Sequence, residues 1–489
     1  MSHGGGSGKT AVHRRDHAHA IIRSHERWQQ VGDSARQIHF NGFVKDCVGH
    51  QSSGMWRYPG DRSADYTKLD HWIELARLFE RGRFDAMFIA DLVGYFDVYG
   101  GNVDSALRTA SQLPINDPTT LVSAMAAATH DLGFGVTAGV FYEHPYTFAR
   151  RMSSLDHITN GRVGWNVVTG YLPSALRNMG QQDIPHDKRY DYADEYIEVL
   201  YKLWEGSWED DAVVRDKAHD VYADPAKVHP INHHGEFFDV PGIHLCEPSP
   251  QRTPVIFQAG GSPRGIRFAA ENAEAIFVTG PTPELVAPTV RQIRDSLEAA
   301  GRGRYDARIF MMLTAITANT EQEAWDKYHD YERYASTEGA LTLYSGWIGT
   351  DLSKYDLDQP LDDIESNAIQ STAANMQKVT GDDGKRWTVR DIAIRRAIGG
   401  NSPVVVGSGE QVADELQRIV DLTDVDGFNL AYVTNPGTFE DIIDYVVPIL
   451  QERGVYQTDY APGTLRNKLF GAGDYLKPTH PGYRYKVSK

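Results

Sequence analysis

The sequence predicts an α/β protein whose core is a (β/α)8 TIM barrel with insertions. Three observations lead to this fold class. Short apolar runs of strand length alternate with amphipathic helical segments, the alternation occurs eight times, and polar residues follow the ends of the strands. Because ligands of parallel α/β folds bind at the carboxyl ends of the strands, we expect the active site at that end.

The clearest β-α-β unit lies in the first half of the chain. Its first strand ends before Pro145, which cannot donate a ladder hydrogen bond and favours the first turn of a helix. The helix carries apolar residues at helical spacing and stops at Gly161. A buried strand over 162–168 follows, and it brings Asn166 and Thr169 to the predicted rim of the barrel.

The other elements continue the same alternation. The remaining strands are predicted over 37–44, 84–91, 133–140, 254–258, 275–278, 309–316 and 427–432. The remaining helices are predicted over 66–81, 119–130, 185–206, 262–268, 283–300, 321–336, 412–420 and 439–451.

The chain divides into a few predicted segments. They are a flexible N-terminal extension (1–36), the barrel (37–466) with insertions near 207–250 and 338–400, and a basic C-terminal tail (467–489). A long loop over 92–118 is too polar to belong to a core. We expect this loop and the second insertion to cover the active site.

The composition excludes several classes of function. The net charge is −17 without a basic stripe, so nucleic acid and anionic membrane surfaces are not expected partners. The two cysteines lie far apart and no apolar run reaches the length of a membrane span, which together fit a cytoplasmic protein. The sequence shows no array of histidines of the kind that would predict a metal site.

Motifs narrow the chemistry further. Asp91 has no carboxylate partner at another predicted strand end, which argues against a glycosidase. The GxSxG motif of hydrolases and the GxGxxG motif of dinucleotide-binding proteins are both absent. The GGSPR sequence over 260–264 joins a strand to a helix, so it predicts a phosphate site, with a plain glycine turn as the alternative.

Six phrases of the sequence resemble the two-component flavin monooxygenases of the bacterial luciferase-like superfamily. They are FNGFVKDCVGHQSSGMWRYP, FDAMFIADLVGYFDVY, EHPYTFARRMSSLDHITNGRVGWNVVTGYLPSA, HDKRYDYADEYIEVLYKLWEGSWEDDAVVRD, PGIHLCEPSPQRTPVIFQAG and DGFNLAYVTNPGTF, and they fall within residues 38–470. The resemblance is greatest to the branch of the nitrilotriacetate, dibenzothiophene-sulfone, long-chain alkane and dimethyl sulfide monooxygenases.

The resemblance implies a luciferase-like TIM barrel that takes reduced FMN from a separate NAD(P)H:flavin reductase and activates O₂ as a flavin C4a-(hydro)peroxide. One oxygen atom would enter a small or apolar substrate, such as a long-chain alkane or an organosulfur compound. Homodimers or homotetramers are common among such proteins. The alternatives are a barrel oxidoreductase that binds F420 or flavin without monooxygenase activity, and a flavin-independent barrel hydrolase.

The resemblance also implies roles for individual residues. Seven positions match flavin contacts: Asp91, Thr137, Asn166, His186, Tyr190, Gly261 and Ser262. Cys47, His50 and Gln112 match catalytic positions near the substrate of the alkane enzymes. We expect His50 to stabilise the distal oxygen or donate a proton, as its near-neutral reference pKa allows, and Cys47 to form a pocket wall. Phe96 and Tyr171 match substrate-pocket positions but depart from the alkane pattern, which leaves the substrate open.

Overall fold

The structure is a computed structural model that describes residues 37–182, 184–360, 369 and 386–487. The predicted N-terminal extension (1–36) lies outside the described residues, as does most of 361–385 in the second predicted insertion. In the described part of the chain, no helix is both long and apolar enough to cross a bilayer.

The described residues form thirteen strands and a series of helices that alternate with them. The strands are β1 (His39–Lys45), β2 (Ala86–Ala90), β3 (Gly133–Gly139), β4 (Val163–Val168), β5 (Val213–Asp216), β6 (Val221–Ala223), β7 (His233–His234), β8 (Asp239–Val240), β9 (Val255–Ala259), β10 (Ala275–Val278), β11 (Arg308–Ala318), β12 (Val404–Ser408) and β13 (Gly427–Ala431). The α-helices are α1 (Leu69–Arg81), α2 (Asp104–Thr109), α3 (Thr119–Ala127), α4 (Pro145–Ile158), α5 (Pro173–Asn178), α6 (His186–Gly206), α7 (Pro263–Asn272), α8 (Pro283–Ala299), α9 (Glu321–Glu332), α10 (Thr337–Ile348), α11 (Val389–Arg395), α12 (Gly409–Thr423), α13 (Gly437–Asp441), α14 (Val447–Glu452) and α15 (Leu465–Phe470).

Eight of the strands form a closed parallel barrel, which confirms the predicted fold class. Their order around the ring is β1-β2-β3-β4-β9-β10-β11-β13, and β13 pairs back onto β1. The ring closes where Ala275 of β10 pairs with Arg308 of β11. Each of these eight strands therefore has two neighbours, and the barrel presents no open edge.

The alternation of side chains along β1 separates the interior of the barrel from its exterior. Phe43 contacts Phe277 of the non-adjacent strand β10 with 5.2 Å between ring centroids, so it points inward. A two-residue period then places Asn41 and Lys45 inward as well. Asn41 Nδ2 donates to Asn429 Oδ1 at 2.8 Å below the aromatic layer, whereas Lys45 lies above it, at the carboxyl end of the strand.

The amino end of the barrel is plugged by α15. Leu465 and Leu469 join the interior cluster that contains the phenylalanine rings. Between them, Arg466 Nε donates to Glu274 Oε1 at 2.6 Å, and its Nη2 donates to Oε2 at 2.8 Å, with both side chains buried. The predicted C-terminal tail thus begins inside a helix that packs against the barrel.

Parts of two segments predicted to be irregular form helices in the described residues. The predicted insertion over 338–400 begins within α10, where every residue from Gly339 to Ile348 is buried. A helix that is apolar on all sides lacks an amphipathic period, so its sequence did not reveal it. The loop over 92–118 contains α2, and the hydroxyls of Ser105 and Thr342 form a buried hydrogen bond of 2.5 Å.

Other boundaries also differ from the prediction. β12 was not predicted; it pairs in parallel with the end of β11 as a ninth strand beside the barrel. β1 continues through Lys45, which the prediction placed in a polar loop. The predicted helix over 321–336 ends at Glu332. The predicted insertion over 207–250 contains two short hairpins, β5–β6 and β7–β8.

Arg466→Met is expected to lower the free energy of unfolding by about 3–5 kcal/mol, because it leaves the buried Glu274 without its ion-pair partner. Urea unfolding followed by circular dichroism measures the loss. Arg81→Met is the matched control, since Arg81 forms an exposed pair with Asp444 and its removal should cost less than about 1 kcal/mol. Equal losses in the two variants would contradict the role of the buried pair.

Candidate active site

The candidate active site is built on Lys45, the last inward residue of β1. Its Nζ donates to Oε1 of Gln112 at 2.5 Å. The amide of Gln112 in turn donates from Nε2 to the carbonyl oxygen of His50 at 2.9 Å, and its backbone N–H donates to the carbonyl of Gly49 at 2.9 Å. These bonds attach the loop that carries Gln112 to the residues that follow β1.

Gln112 is held in an uncommon backbone conformation. Its φ is +55°, in the left-handed region that non-glycine residues seldom adopt. The three hydrogen bonds to Lys45, Gly49 and His50 fix this conformation and direct the amide into the buried cluster. Backbone strain of this kind is concentrated at functional sites, and the catalytic position of Gln112 stays a prediction.

Ionisable groups gather around the Lys45 ammonium. Burial lowers the pKa of Lys45 from 10.5 to about 8, against the charges of Cys47 and Asp91. Burial raises the pKa of Asp91, which follows β2, to about 6 in spite of the Lys45 charge. Burial and the Asp91 charge raise the pKa of Asp46 to about 7. At neutral pH the cluster therefore contains a protonated lysine beside the ionised carboxylate of Asp91.

Cys47 and His50 are both buried in this cluster, but neither is charged near neutral pH. Burial raises the pKa of the Cys47 thiol to about 12, and its Sγ donates to the Gly49 carbonyl at 3.3 Å. Burial and the Lys45 charge lower the pKa of His50 well below 6.5. The pKa of His50 is therefore lower than the near-neutral value expected from the sequence. A neutral imidazole can still donate an N–H hydrogen bond, although it does not act as a cationic acid. The His50 ring packs edge-on against Phe43 at 4.5 Å.

Thr137 and Asn166 form a polar pair on the neighbouring strands β3 and β4. They are register partners, and Asn166 Nδ2 donates to Thr137 Oγ1 at 2.9 Å. Both side chains are buried, and no described residue donates a hydrogen bond to Oδ1 of Asn166. A buried amide oxygen without a donor is costly, so this atom marks a position where a ligand N–H fits.

The predicted phosphate end lies at the start of α7. Ser262 Oγ accepts from the Gly265 backbone N–H at 3.1 Å and lies 3.4 Å from His186 Nε2. The hydroxyl of Tyr190 lies close to Gly260 and Gly265, where a Cβ would collide with it or crowd it. Ser262, His186 and Tyr190 are thus together, and Gly261 is exposed beside them.

Phe96 and Tyr171 belong to a second apolar cluster, which we call the roof. It joins the loop over 92–118 to α10 and α11. The Tyr171 hydroxyl faces the Trp347 indole, and burial raises its pKa. Tyr171 also lines a cavity of about 120 Å³ with Thr169. Since Thr169 hydrogen-bonds to Tyr190, this cavity connects the predicted substrate pocket to the predicted flavin positions.

The structure adds residues that the sequence did not single out. Lys45 was overlooked because it was assigned to a loop; the spacing of Asn41, Phe43 and Lys45 would have placed it inward. Arg396 and Trp347 belong to the roof, and no local pattern predicts their position. No group of three or more His, Cys, Asp or Glu side chains that could hold a metal ion occurs in the described ranges.

The fold and the site define a barrel enzyme with a ligand site at the carboxyl ends of its strands. Residues 50–425 match the family model described as luciferase-like monooxygenase, and the chain belongs to this family. It is 52% identical over 453 residues to the dimethyl-sulfide monooxygenase of Hyphomicrobium sulfonivorans, covering 92% of this chain and 94% of that protein. It is 49% identical over 453 residues to the long-chain alkane monooxygenase of Geobacillus thermodenitrificans, covering 92% and 98%.

Solved structures agree with this assignment. The crystal structure of DmoA from Hyphomicrobium sulfonivorans superposes with a TM-score of 0.86 at 52% identity, covering 92% of this chain and 96% of that one. The riboflavin lyase RcaE, solved with modified FMN and riboflavin, superposes with a TM-score of 0.86 at 38% identity, covering 92% and 100%. The protein is therefore an enzyme of this family, and its close relatives are named monooxygenases.

The two cysteines are expected to differ in reactivity in the native protein. Cys47 is 1% exposed and its pKa is about 12, whereas Cys246 is only half-buried. A thiol reagent at pH 8 should therefore modify one thiol per chain before unfolding and two after it, as counted by mass spectrometry. Cys246→Ser should remove the fast reaction entirely. Rapid modification of Cys47 in that variant would show that the cluster is open to solvent.

Lys45→Met is expected to change how stability depends on pH. In the native protein the pKa of Lys45 is about 8 and in the unfolded chain about 10.5, so the unfolded state binds more protons between these values. The free energy of unfolding of the wild type should therefore increase relative to that of Lys45→Met as pH rises from 8 to 10.5. Unfolding midpoints across this range provide the measurement. Lys45→Gln, also neutral, should behave alike; a difference that stays constant with pH would contradict the buried ammonium.

Proposed function

We propose that the protein is the oxygenase component of a two-component, FMNH₂-dependent monooxygenase. It would insert one atom of O₂ into a small organic substrate, with reduced FMN delivered by a separate NAD(P)H:flavin reductase. The observation that carries the proposal is the buried Thr137–Asn166 pair in a barrel of the luciferase-like family, since no described residue donates to the amide oxygen of Asn166.

The residues present fit FMN at both of its ends. A flavin ring has a polar edge with an N–H donor, which suits the free Oδ1 of Asn166. The phosphate suits the start of α7, where Ser262 and His186 lie 3.4 Å apart beside the hydroxyl of Tyr190. Asp91 adds a carboxylate on the neighbouring strand β2.

Reduced FMN, when bound, supplies the electrons that activate O₂. The protein would bind and orient the flavin through Asn166 and Ser262 and exclude water by means of the roof. His50, neutral because burial lowers its pKa, would donate an N–H hydrogen bond to a polar atom in the pocket. Lys45 would provide positive charge at the floor of the site, where Gln112 holds its ammonium.

The partners and the compartment follow from this proposal. Relatives named as monooxygenase components, such as nitrilotriacetate monooxygenase component A, support a separate reductase. Two close relatives are named for dimethyl sulfide and for long-chain alkanes, so both chemical classes are candidate substrates. We further propose a homodimer or homotetramer in the cytoplasm, where NAD(P)H keeps flavin reduced.

One experiment tests the proposed function. The apoprotein is titrated anaerobically with FMNH₂ and, separately, with reduced F420. It is then supplied with a flavin reductase, NADH, ¹⁸O₂ and a panel of alkanes, sulfides and sulfones. Binding of FMNH₂ followed by one ¹⁸O atom in the product is the expected result. Failure to bind reduced flavin, or binding of F420 alone, would overturn the proposal.

Asn166→Leu is expected to weaken FMN binding by about tenfold, because it removes a buried hydrogen-bond acceptor while keeping similar volume. Fluorescence quenching of FMN measures the dissociation constant. Asn429→Leu is the matched control, since it removes a buried amide that bonds to Asn41 below the aromatic layer. If both variants lose FMN affinity equally, the effect comes from a disturbed barrel and not from a lost flavin contact.

A further inference from the structure

Arg396 is a buried arginine in the roof that has no carboxylate partner among the described residues. It follows α11 and is 5% exposed. Its Nη1 donates to the Gly400 carbonyl at 3.2 Å, and its guanidinium carbon lies 4.9 Å from the centroid of the Trp387 ring. Nε is buried and has no hydrogen-bond partner among the described residues. An arginine stays protonated in proteins, so the described part of the chain leaves this buried charge without a counter-ion.

A second donor beside Arg396 is also unsatisfied. Nε1 of the Trp387 indole is buried and meets no acceptor among the described residues, although the ring lies over the guanidinium. The guanidinium also hydrogen-bonds to Tyr344, whose hydroxyl oxygen accepts from it. Indole and guanidinium N–H groups can only donate, so Nε of Arg396 and Nε1 of Trp387 are two donors that the described residues leave unsatisfied. Two unsatisfied donors beside a positive charge suit an oxyanion.

Side-chain contacts connect these donors to the predicted catalytic residues. Tyr344 contacts Trp347 at 5.9 Å between ring centroids, and Trp347 faces Tyr171. A Cβ on Gly400 would collide with the Gln51 side chain and touch Trp347, so Gly400 lies between them. The amide of Gln51 is itself 3.3 Å from Nε2 of His50. A continuous set of contacts thus links the cation in the roof to His50 at the mouth of the barrel.

We propose that Arg396 and Trp387 bind an oxyanion of the substrate, a carboxylate or a sulfonate at one end of an otherwise apolar body. This inference rests on the proposed function and narrows its substrate class to organic anions. The guanidinium and the indole N–H would hold the anionic group in the roof, while the apolar body lies among Phe96, Tyr171 and Trp347, toward His50. A neutral alkane or sulfide would leave both donors unpaired.

The flavin phosphate is a second possible oxyanion, but it has its own place in the structure. Ser262 and His186 lie at the start of α7, which follows β9, whereas Arg396 follows α11. The nearby Arg264 is already paired with Asp194. The experiment separates the two anions by comparing FMN with riboflavin, which lacks the phosphate.

The test is calorimetric binding to the full chain without flavin or turnover. The probes are octanoate, 1-octanesulfonate and the neutral match 1-octanol. At least one anion should bind about tenfold or more tightly than the alcohol, and Arg396→Met should remove that preference. Arg396→Lys should restore part of it, because it keeps the charge without the planar fork. Trp387→Phe should weaken anion binding severalfold while keeping the ring.

Equal affinities for the anions and the alcohol, or an unchanged preference in Arg396→Met, would overturn the proposal. So would a loss of the FMN-over-riboflavin preference in Arg396→Met, because Arg396 would then bind the flavin phosphate. Circular dichroism checks that each variant is folded, and Trp387→Phe tests the site independently. Anion selectivity in a protein that fails to oxygenate would support the oxyanion site and contradict only the proposed monooxygenase function.

Discussion

Closure of the eight-stranded ring is the constraint on which the rest of the structure depends. Once β10 pairs with β11, the direction of every side chain on the ring is fixed by the two-residue period. Phe43 and Phe277 then fill the interior, and Lys45 becomes the first inward residue above them. Gln112 is needed there because an ammonium above an aromatic layer must have an acceptor.

The burial that closure imposes also sets the electrostatics of the site. Removal from water is the largest cause of the pKa changes at Lys45, Cys47, His50 and Asp91, and it disfavours the charged form of each group. The Cys47 thiol and the His50 imidazole are neutral at pH 7, whereas Lys45 and Asp91 carry opposite charges. In such a dry site, hydrogen bonds and charges act more strongly than in water. The N–H of a neutral imidazole can therefore act as a hydrogen-bond donor without the second proton of the imidazolium form.

The sequence predicts the part of this architecture that local pattern encodes. The eight strands of the ring are recognisable as short apolar runs because they are buried on both faces, and most of the helices are recognisable from the periodicity of one buried face. Thr137 and Asn166 were placed correctly near the ends of adjacent strands, and they are register partners. The helix α10 was missed because it is apolar on every side, and the role of Arg396 was missed because only long-range packing surrounds it with aromatic rings.

The strand ends of the barrel and the roof contribute different residues to the candidate site, and the two parts are built differently. Strand ends such as those bearing Thr137 and Asn166 are fixed by the register of the barrel, so the proposed flavin positions can change little without a change of fold. The roof is assembled from connections, and its residues meet through side-chain packing and a few hydrogen bonds such as the one between Ser105 and Thr342. Phe96 and Tyr171, the positions that depart from the alkane pattern, lie in the roof, and so does Arg396. Under the proposed function, a chain of this family would retain its flavin chemistry at the strand ends, while Arg396 in the roof would shift its substrate preference from neutral hydrocarbons to organic anions.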